Sequence, residues 1–262
     1  MDLRHELSIM TLGERLLVSQ DSLSSAPRVL DVGTGTGLWA IDIADKCSGG
    51  GEVVGIDLSP IQPRWVPPNC HFLVDDAEKT WDDSKKYNLV HIRYMEGAFT
   101  DWPWIFEQVM TVLEPGGIIE VHGIDFCPYA QEGEVPEVIL TWIAQLYDIT
   151  KKRGRPIDVI GGYETWMEAA GFVDVEKHEF AQPLGPWAKD KRQKTIGVLN
   201  LEATLNGVEA YTLEPFREAG WSLKEATVLI ALVRHACQEN WYGNQLHTKL
   251  VVVTARKPGG AR

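Results

Sequence analysis

The stretch Arg28-Val-Leu-Asp31-Val-Gly33-Thr-Gly35-Thr-Gly37-Leu-Trp-Ala-Ile-Asp-Ile-Ala-Asp45 decides the fold. Arg28–Val32 reads as a buried strand, and Gly37–Lys46 reads as a helix that begins as soon as the glycine turn ends. Glycine at such a turn lets a ligand approach the backbone with no Cβ in the way. Further along, Glu52–Asp57, His71–Val74, Tyr87–Arg93 and Ile118–Ile124 read as strands, Trp102–Leu113 as a helix, and Glu114–Gly117 as a turn. Short apolar strands separated by helix-length segments pair in parallel through right-handed crossovers, which gives an open α/β sheet.

The second half is less regular. Val135–Lys152 and Tyr163–Ala170 read as helices, Gly171–Phe180 as a strand, and Leu246–Arg256 as a β-branched closing strand. Between them, 186–240 reads as a helical insertion, with helices near 189–205, 212–219 and 222–240. Ser222 and Glu225 have the spacing of a capping box. The insertion cannot bury itself alone, so it is expected as a lid over the C-terminal edge of the sheet. Residues 1–27 read as a helical arm on Leu7, Met10, Leu12, Leu16 and Leu17, followed by a turn-rich connector, and 28–262 as the main domain.

Composition narrows the class. The chain has 262 residues and a net charge of −12, from 37 acidic and 25 basic side chains. That balance repels a phosphate backbone and argues against nucleic acid as a partner. The sequence has 44% hydrophobic and 24% charged residues, as expected of a globular domain. No run approaches the ~18 apolar residues of a membrane span, and MDLRHELSIM lacks the apolar region of a secretory signal. Cys47, Cys70, Cys127 and Cys237 lie far apart with no CxxC pair, which suits reduced thiols in a cytoplasmic protein and no metal site. The ten tryptophans are mostly core material, yet a group near a pocket mouth would suit a flat or apolar substrate.

The ligand follows from what surrounds the glycines. Asp57 closes the second strand, where a carboxylate accepts hydrogen bonds from both hydroxyls of a ribose, or else caps the Ser59-Pro60 turn. Asp75-Asp76-Ala77-Glu78 follows the third strand, where a carboxylate can accept the exocyclic amine of an adenine. A dinucleotide fingerprint needs glycine or alanine where this chain has Leu38, and the GK[ST] ending of a P-loop is absent. Asp31, shortly before Gly33, suits a cation rather than a pyrophosphate. The expected ligand is an adenosine with a positively charged tail.

Asp31–Gly37 together with Asp57 resembles the binding motif of class I S-adenosylmethionine-dependent methyltransferases. The resemblance implies a Rossmann-like sheet of seven mostly parallel strands, with Leu246–Arg256 as the antiparallel strand near the edge. It implies that Gly33, Gly35 and Gly37 line the methionine part, with Asp31 nearby, and that Asp57 holds the ribose. By the same resemblance Leu58 packs on the adenine, Asp76 and Ala77 meet its edge, and Arg93 and Tyr94 border the methionyl amine and the reacting methyl. The phrases VLDVGTGTGLWAIDIAD, GIDLSPIQPRWVPPNC, VHIRYMEGAFTDWP and LGPWAKDKRQKTIG are similar to the fungal LaeA-like methyltransferases of secondary metabolism. That group usually carries a longer N-terminal region, and it includes both regulators and biosynthetic enzymes.

The acceptor side is read from single residues. His122, near the end of the fifth strand, is the candidate general base, or it merely completes the strand. Asp125 binds an acceptor or caps a turn; Tyr94 orients the substrate, shields a sulfonium with its ring, or packs under the lid. Arg155 pairs with an acidic substrate or sits in a solvated turn, while Trp187, Trp241 and Tyr242 form an aromatic wall or ordinary helix packing. The resulting expectation is O-methylation of a small secondary metabolite. Two alternatives stand beside it: a regulator that acts through protein partners, with a nuclear location, and a repurposed fold in which the sulfonium assists a rearrangement or cyclisation. Oligomeric state is not legible here.

Overall fold

The strands nearest the glycine turn are apolar along their whole length because both faces of the sheet are covered, as parallel sheets require. The computed structural model describes residues 3–23, 26–47, 49–240 and 243–259. In chain order the strands are β1 (Arg28–Val32), β2 (Glu52–Asp57), β3 (Cys70–Val74), β4 (Tyr87–Arg93), β5 (Leu113–Ala130), β6 (Val173–Pro183) and β7 (Leu246–Arg256). They form one seven-stranded sheet in the order β3-β2-β1-β4-β5-β7-β6. Pairing is parallel from β3 through β5, whereas β7 runs antiparallel to both β5 and β6. The Rossmann-like expectation, with its antiparallel strand near the edge, is met.

The helices are α1 (Leu3–Thr11), α2 (Leu38–Lys46), α3 (Trp102–Val112), α4 (Glu137–Lys152), α5 (Tyr163–Ala169), α6 (Lys191–Glu218) and α7 (Leu223–Asn240). On one face of the sheet Leu30, Val54, Val90 and Ile92 pack with Phe106 and Val109 of α3 and with Tyr163 and Met167 of α5. On the other, Val29, Val53 and Leu89 pack with Trp39 and Ile43 of α2 and with Leu16 and Leu17 of the N-terminal segment. Leu7, Leu16 and Leu17 are buried, so residues before 27 are part of the packed core rather than an appended arm. A further cluster joins α4, α6 and α7 through Leu146, Phe216 and Val233. Asn200 of α6 donates to the carbonyls of Gln182 and Pro183 and to Thr248, which fastens these helices where β6 ends and β7 begins.

The strand expected at Gly171–Phe180 is shifted to Val173–Pro183, and two other elements differ more from expectation. The helices expected at 189–205 and 212–219 are one helix, α6, because Val208, Thr212 and Phe216 are buried across the gap. That burial outweighs the roughly 1 kcal/mol that Gly207 costs inside a helix. The fifth strand extends beyond Ile118–Ile124 in both directions, through its pairing with β4 at Leu113 and with β7 as far as Ala130. The Ser222–Glu225 capping box is formed, with the serine hydroxyl and backbone bound to the glutamate.

The α2 face of the sheet carries a buried polar stripe. Glu120 on β5 accepts from the backbone N–H of Val18 (2.8 Å) and of Ser19 (2.9 Å), from the Ser19 hydroxyl (2.5 Å) and from His122 Nε2 (2.7 Å). Burial alone would raise its pKa, but those donors and the neighbouring imidazole outweigh it and hold the carboxyl at about 2. Glu120→Ala strands four donors in the interior and is expected to destabilise the fold by about 3–5 kcal/mol in urea titrations at neutral pH. The folded value lies below the unfolded one, so the carboxylate's contribution is complete above pH 4.5. The gap between wild type and variant should therefore close as pH falls from there towards about 2.

Candidate active site

The chain passes from β1 to β2 on one side and from β3 back to β4 on the other, and the crevice at such a divergence is where an open α/β sheet receives its ligand. Here the glycine turn is bound to the end of β2. The N–H groups of Gly33 and Thr34 both donate to the Ile56 carbonyl at 2.9 Å. Asp57 then takes the Gly35 N–H on one carboxylate oxygen (2.8 Å) and the Ser59 N–H on the other (2.9 Å). Each oxygen keeps a further lone pair for a ligand hydroxyl. Gln62 closes the turn by donating to the Gly35 carbonyl at 2.7 Å.

The three glycines of the turn have different reasons to be glycine. All adopt positive φ, where a side chain is strained. A Cβ on Gly33 would lie 2.2 Å from the sulfur of Met95, and one on Gly37 would lie 2.4 Å from the ring of Phe72. A Cβ on Gly35 would meet nothing within 4 Å. Only Gly35 faces open space, and the other two make room for protein side chains.

Beside this turn lies a cavity of about 90 Å³ lined by Gly33, Asp57, Leu58, Asp76 and Ala77, with Met95 and Phe99 among its apolar walls. Leu58 is 69% exposed at its rim. Apolar faces for a flat ring, with a carboxylate at each end, fit an adenosine. Asp76 uses one oxygen to cap the following turn by accepting the Glu78 N–H at 3.0 Å. Glu78 in turn binds Thr100 and Arg155, so the loop after β3 is tied to the loop after β4 across the cavity.

Other residues singled out in the sequence lie elsewhere, and several expectations need correction. Asp31 is 3% exposed and lies beneath the turn rather than on it. Its carboxylate accepts from His91 Nδ1 (2.7 Å) and from the Thr34 hydroxyl (2.6 Å), and burial raises its pKa to about 6. His91 stacks on Trp39 with ring centroids 3.6 Å apart, and burial followed by the charges of His122 and Arg93 pushes it well down, so it stays neutral. His122, expected to face a substrate, is 1% exposed, bonded to Glu120, and edge-on to His91. It lies inside the polar stripe because β5 is covered on both faces. Arg93 donates to His5 (3.1 Å), which itself pairs with Asp42 (2.9 Å), and the Tyr94 hydroxyl bonds Ser8, so α1 covers the end of β4.

Asp125 caps its own turn by accepting the Cys127 N–H (3.0 Å) and also takes the Tyr129 hydroxyl (2.6 Å). Arg155 is spent on the Ala98 carbonyl and on Glu78 at 2.6 Å, a clasp within the protein rather than a site for an acidic substrate. Trp187 donates to the Leu246 carbonyl (2.7 Å) and borders a different cavity, of about 560 Å³, at the outer ends of β6 and β7. Trp241 and Tyr242 lie outside the described residues. Among the described residues no cluster of His, Cys, Asp or Glu could hold a metal ion, and no helix is long and apolar enough to cross a membrane.

Two buried acids, Glu120 and Glu96, went unnoticed in the sequence. Glu96, just past β4, is 9% exposed, and its Oε1 accepts the Ile124 N–H at 2.9 Å. A third cavity, of about 40 Å³, lies between β5, α4 and α6, lined by Arg4, Ile124, Phe126, Trp142, Tyr211 and Thr248 among others. Glu96 lies within the phrase VHIRYMEGAFTDWP, where Arg93 and Tyr94 were singled out and it was not.

Comparison with known proteins agrees with this geometry. A family model described as a methyltransferase domain matches residues 3–177. The chain is 38% identical to methyltransferase pytC of Aspergillus terreus, over 98% of this chain and 80% of that protein. It is 35% identical to the secondary metabolism regulator LAE1 of Cochliobolus heterostrophus, over 88% of this chain and 77% of that one. Among solved structures, phosphoethanolamine N-methyltransferase 2 of Haemonchus contortus with S-adenosylhomocysteine bound shares the fold, with a TM-score of 0.51 and 19% identity over 90% of this chain and 50% of that one. The chain belongs to the methyltransferase-domain family, as a class I S-adenosylmethionine-dependent methyltransferase resembling the LaeA-like proteins. Asp57→Ala should weaken S-adenosylmethionine binding at least about tenfold by isothermal titration, the loss of roughly one charge-assisted hydrogen bond. Circular dichroism of the variant checks that the fold is kept.

Proposed function

We propose that this methyltransferase acts on a hydroxyl oxygen of a small secondary metabolite. What supports the reading is the cavity beside the glycine turn together with a small aromatic-lined cavity between β5, α4 and α6. One is walled for an adenosine, and the other is small, aromatic and roofed by α4 and α6. The aromatic lining of that small cavity, Phe126, Trp142 and Tyr211, favours an apolar small-molecule acceptor over a charged peptide. The names of the relatives, a methyltransferase and a regulator of secondary metabolism, support the same setting.

When bound, S-adenosylmethionine supplies an electrophilic methyl group. The work left to the chain is positioning, which is worth about 7–11 kcal/mol when two reactants are well oriented. In this reading Asp57 holds the ribose hydroxyls, Leu58 and Ala77 pack on the base, and the carboxylate of Asp76 faces its exocyclic amine. Gly35 leaves the turn open to the methionyl part. Tyr94 and Arg93, held by Ser8 and His5 of α1, shut water out from above. Within this reading the protein works in the cytoplasm and needs neither metal nor nucleic acid.

Incubation with S-adenosylmethionine and a panel of phenolic and aliphatic alcohols, followed by mass spectrometry, is expected to show products heavier by one CH₂ at oxygen. Products methylated only at nitrogen or carbon would overturn the oxygen assignment. A product of unchanged mass would favour assisted cyclisation. A donor-binding protein that turns over no small acceptor but co-purifies with a stable partner would favour the regulatory reading and a nuclear location.

A further inference from the structure

We propose that the β3 edge of the sheet is an interface at which a second copy of this chain docks, the two β3 strands pairing antiparallel about a two-fold axis. The inference does not depend on the acceptor reading above. It concerns a face of the molecule that the donor cleft only borders.

The sheet has two edges, and the chain treats them differently. β6 is guarded in the ways that keep an edge from pairing. Glu176, Lys177 and Glu179 line it with charge, Asp174 has positive φ, and its register with β7 shifts between Val173 and Glu176. β3 reads Cys70-His-Phe-Leu-Val74, with no lysine or proline and an unbroken register, and it pairs with β2 alone.

One face of β3 is also bare. The crossovers from β1 to β2 and from β4 to β5 carry α2 and α3, whereas 58–69 and 75–86, on either side of β3, carry no helix. Cys70 and Phe72 point to the α2 side, where they join the core. His71 and Leu73 point the other way, and Leu73 is 53% exposed. The preceding loop adds Ile61, also exposed, and Trp65, which is 94% exposed while Trp39, Trp102 and Trp142 are buried. A tryptophan has the most to gain from burial, so one left in water beside other apolar side chains marks a contact surface.

Charge selects a second copy as the occupant. The chain carries −12, yet 58–86 holds five acidic and four basic residues, so this face lacks the excess that keeps like molecules apart. Full antiparallel overlap of Cys70–Val74 with itself puts Phe72 on the axis and His71 opposite Leu73. Asp75 then lies beside the neutral Asn69, whereas parallel pairing of two copies sets Asp75 against Asp75. The antiparallel contact uses the same patch on both copies and closes at two. Leu58 and Asp75 also line the donor cleft, so each cleft borders the seam.

Sedimentation velocity of the full chain from about 1 to about 100 µM tests this. Wild type is expected to pass from one chain to two across that range. Leu73→Lys and Trp65→Ser, both at exposed positions, should each weaken association at least about tenfold and keep the wild-type circular dichroism. Val173→Lys, at the guarded edge, should leave association unchanged. Hydrogen exchange locates the contact: amides of 70–74 should be better protected at high concentration than at low. Opposed residues of an antiparallel pair lie about 4.5–5.5 Å apart at Cα, within disulfide reach. The double variant His71→Cys, Leu73→Cys, oxidised with diamide, should therefore form a covalent dimer that wild type does not.

A chain that stays single at every concentration overturns the proposal, even if Leu73 then proves to hold a different protein. So does a dimer that survives both Leu73→Lys and Trp65→Ser, or one that Val173→Lys dissolves. Should either of the first two variants lose its fold, exchange and cross-linking decide: equal exchange at 70–74 in both states rules out the β3 edge, and a dimer that fails to cross-link rules out the antiparallel pairing.

Discussion

The turn after β1 is bound to the end of β2 by backbone N–H groups that converge on the Ile56 carbonyl and the Asp57 carboxylate. Everything else in the donor cleft takes its position from that join. It fixes the path of the glycines, sets Asp57 at the cavity wall with lone pairs to spare, and places Leu58 at the rim. A carboxylate already held by two N–H groups is pre-organised, so a ligand's hydroxyls meet an acceptor that need not be reoriented. The same residue is thus a structural tie and, in the proposed reading, the group that binds the ribose.

Beneath the join the α2 face of the sheet holds a row of buried ionisable side chains. Asp31, His91, His122 and Glu120 run across β1, β4 and β5 in succession, and Ser19 and Trp39 close the stripe from outside. Buried ionisable groups are tolerated only where each finds partners, and the hydrogen bonds here supply most of them. The role of Asp31 changes accordingly. It is a buried anion whose field reaches the turn from below, not a hydrogen-bonding partner at the ligand surface.

How much of this was legible follows from where the information lies. β1, β2, β4 and β7 were readable to the residue because each is a short apolar run bounded by turn signals, and the donor cleft was readable because its residues sit at the ends of those runs. The acceptor side depends on which way side chains point from β5. A strand buried on both faces has no alternation to reveal direction, so His122 was placed at the mouth when it belongs to the interior. Arg155 misled for a different reason. Its partners Ala98 and Glu78 lie far away in sequence, and a pairing across two loops leaves no local trace. The glycines were read correctly as a tight turn, but Met95 and Phe72, the side chains that require two of them, arrive from the loop after β4 and from β3.

The N-terminal helix has a consequence for how the molecule is made. Met10 accepts from Arg192, Thr11 from Gln182, and Val18 and Ser19 donate to Glu120. This segment therefore finds its resting place only after β5, β6 and the start of α6 have followed it. Closing such distant contacts is slow, and it comes after the more local pairing of β1 with β2. The nascent chain should pass through a stage in which the sheet is largely assembled while the flap above Arg93 and Tyr94 is still loose. The active centre would be the last part of the molecule to be sealed.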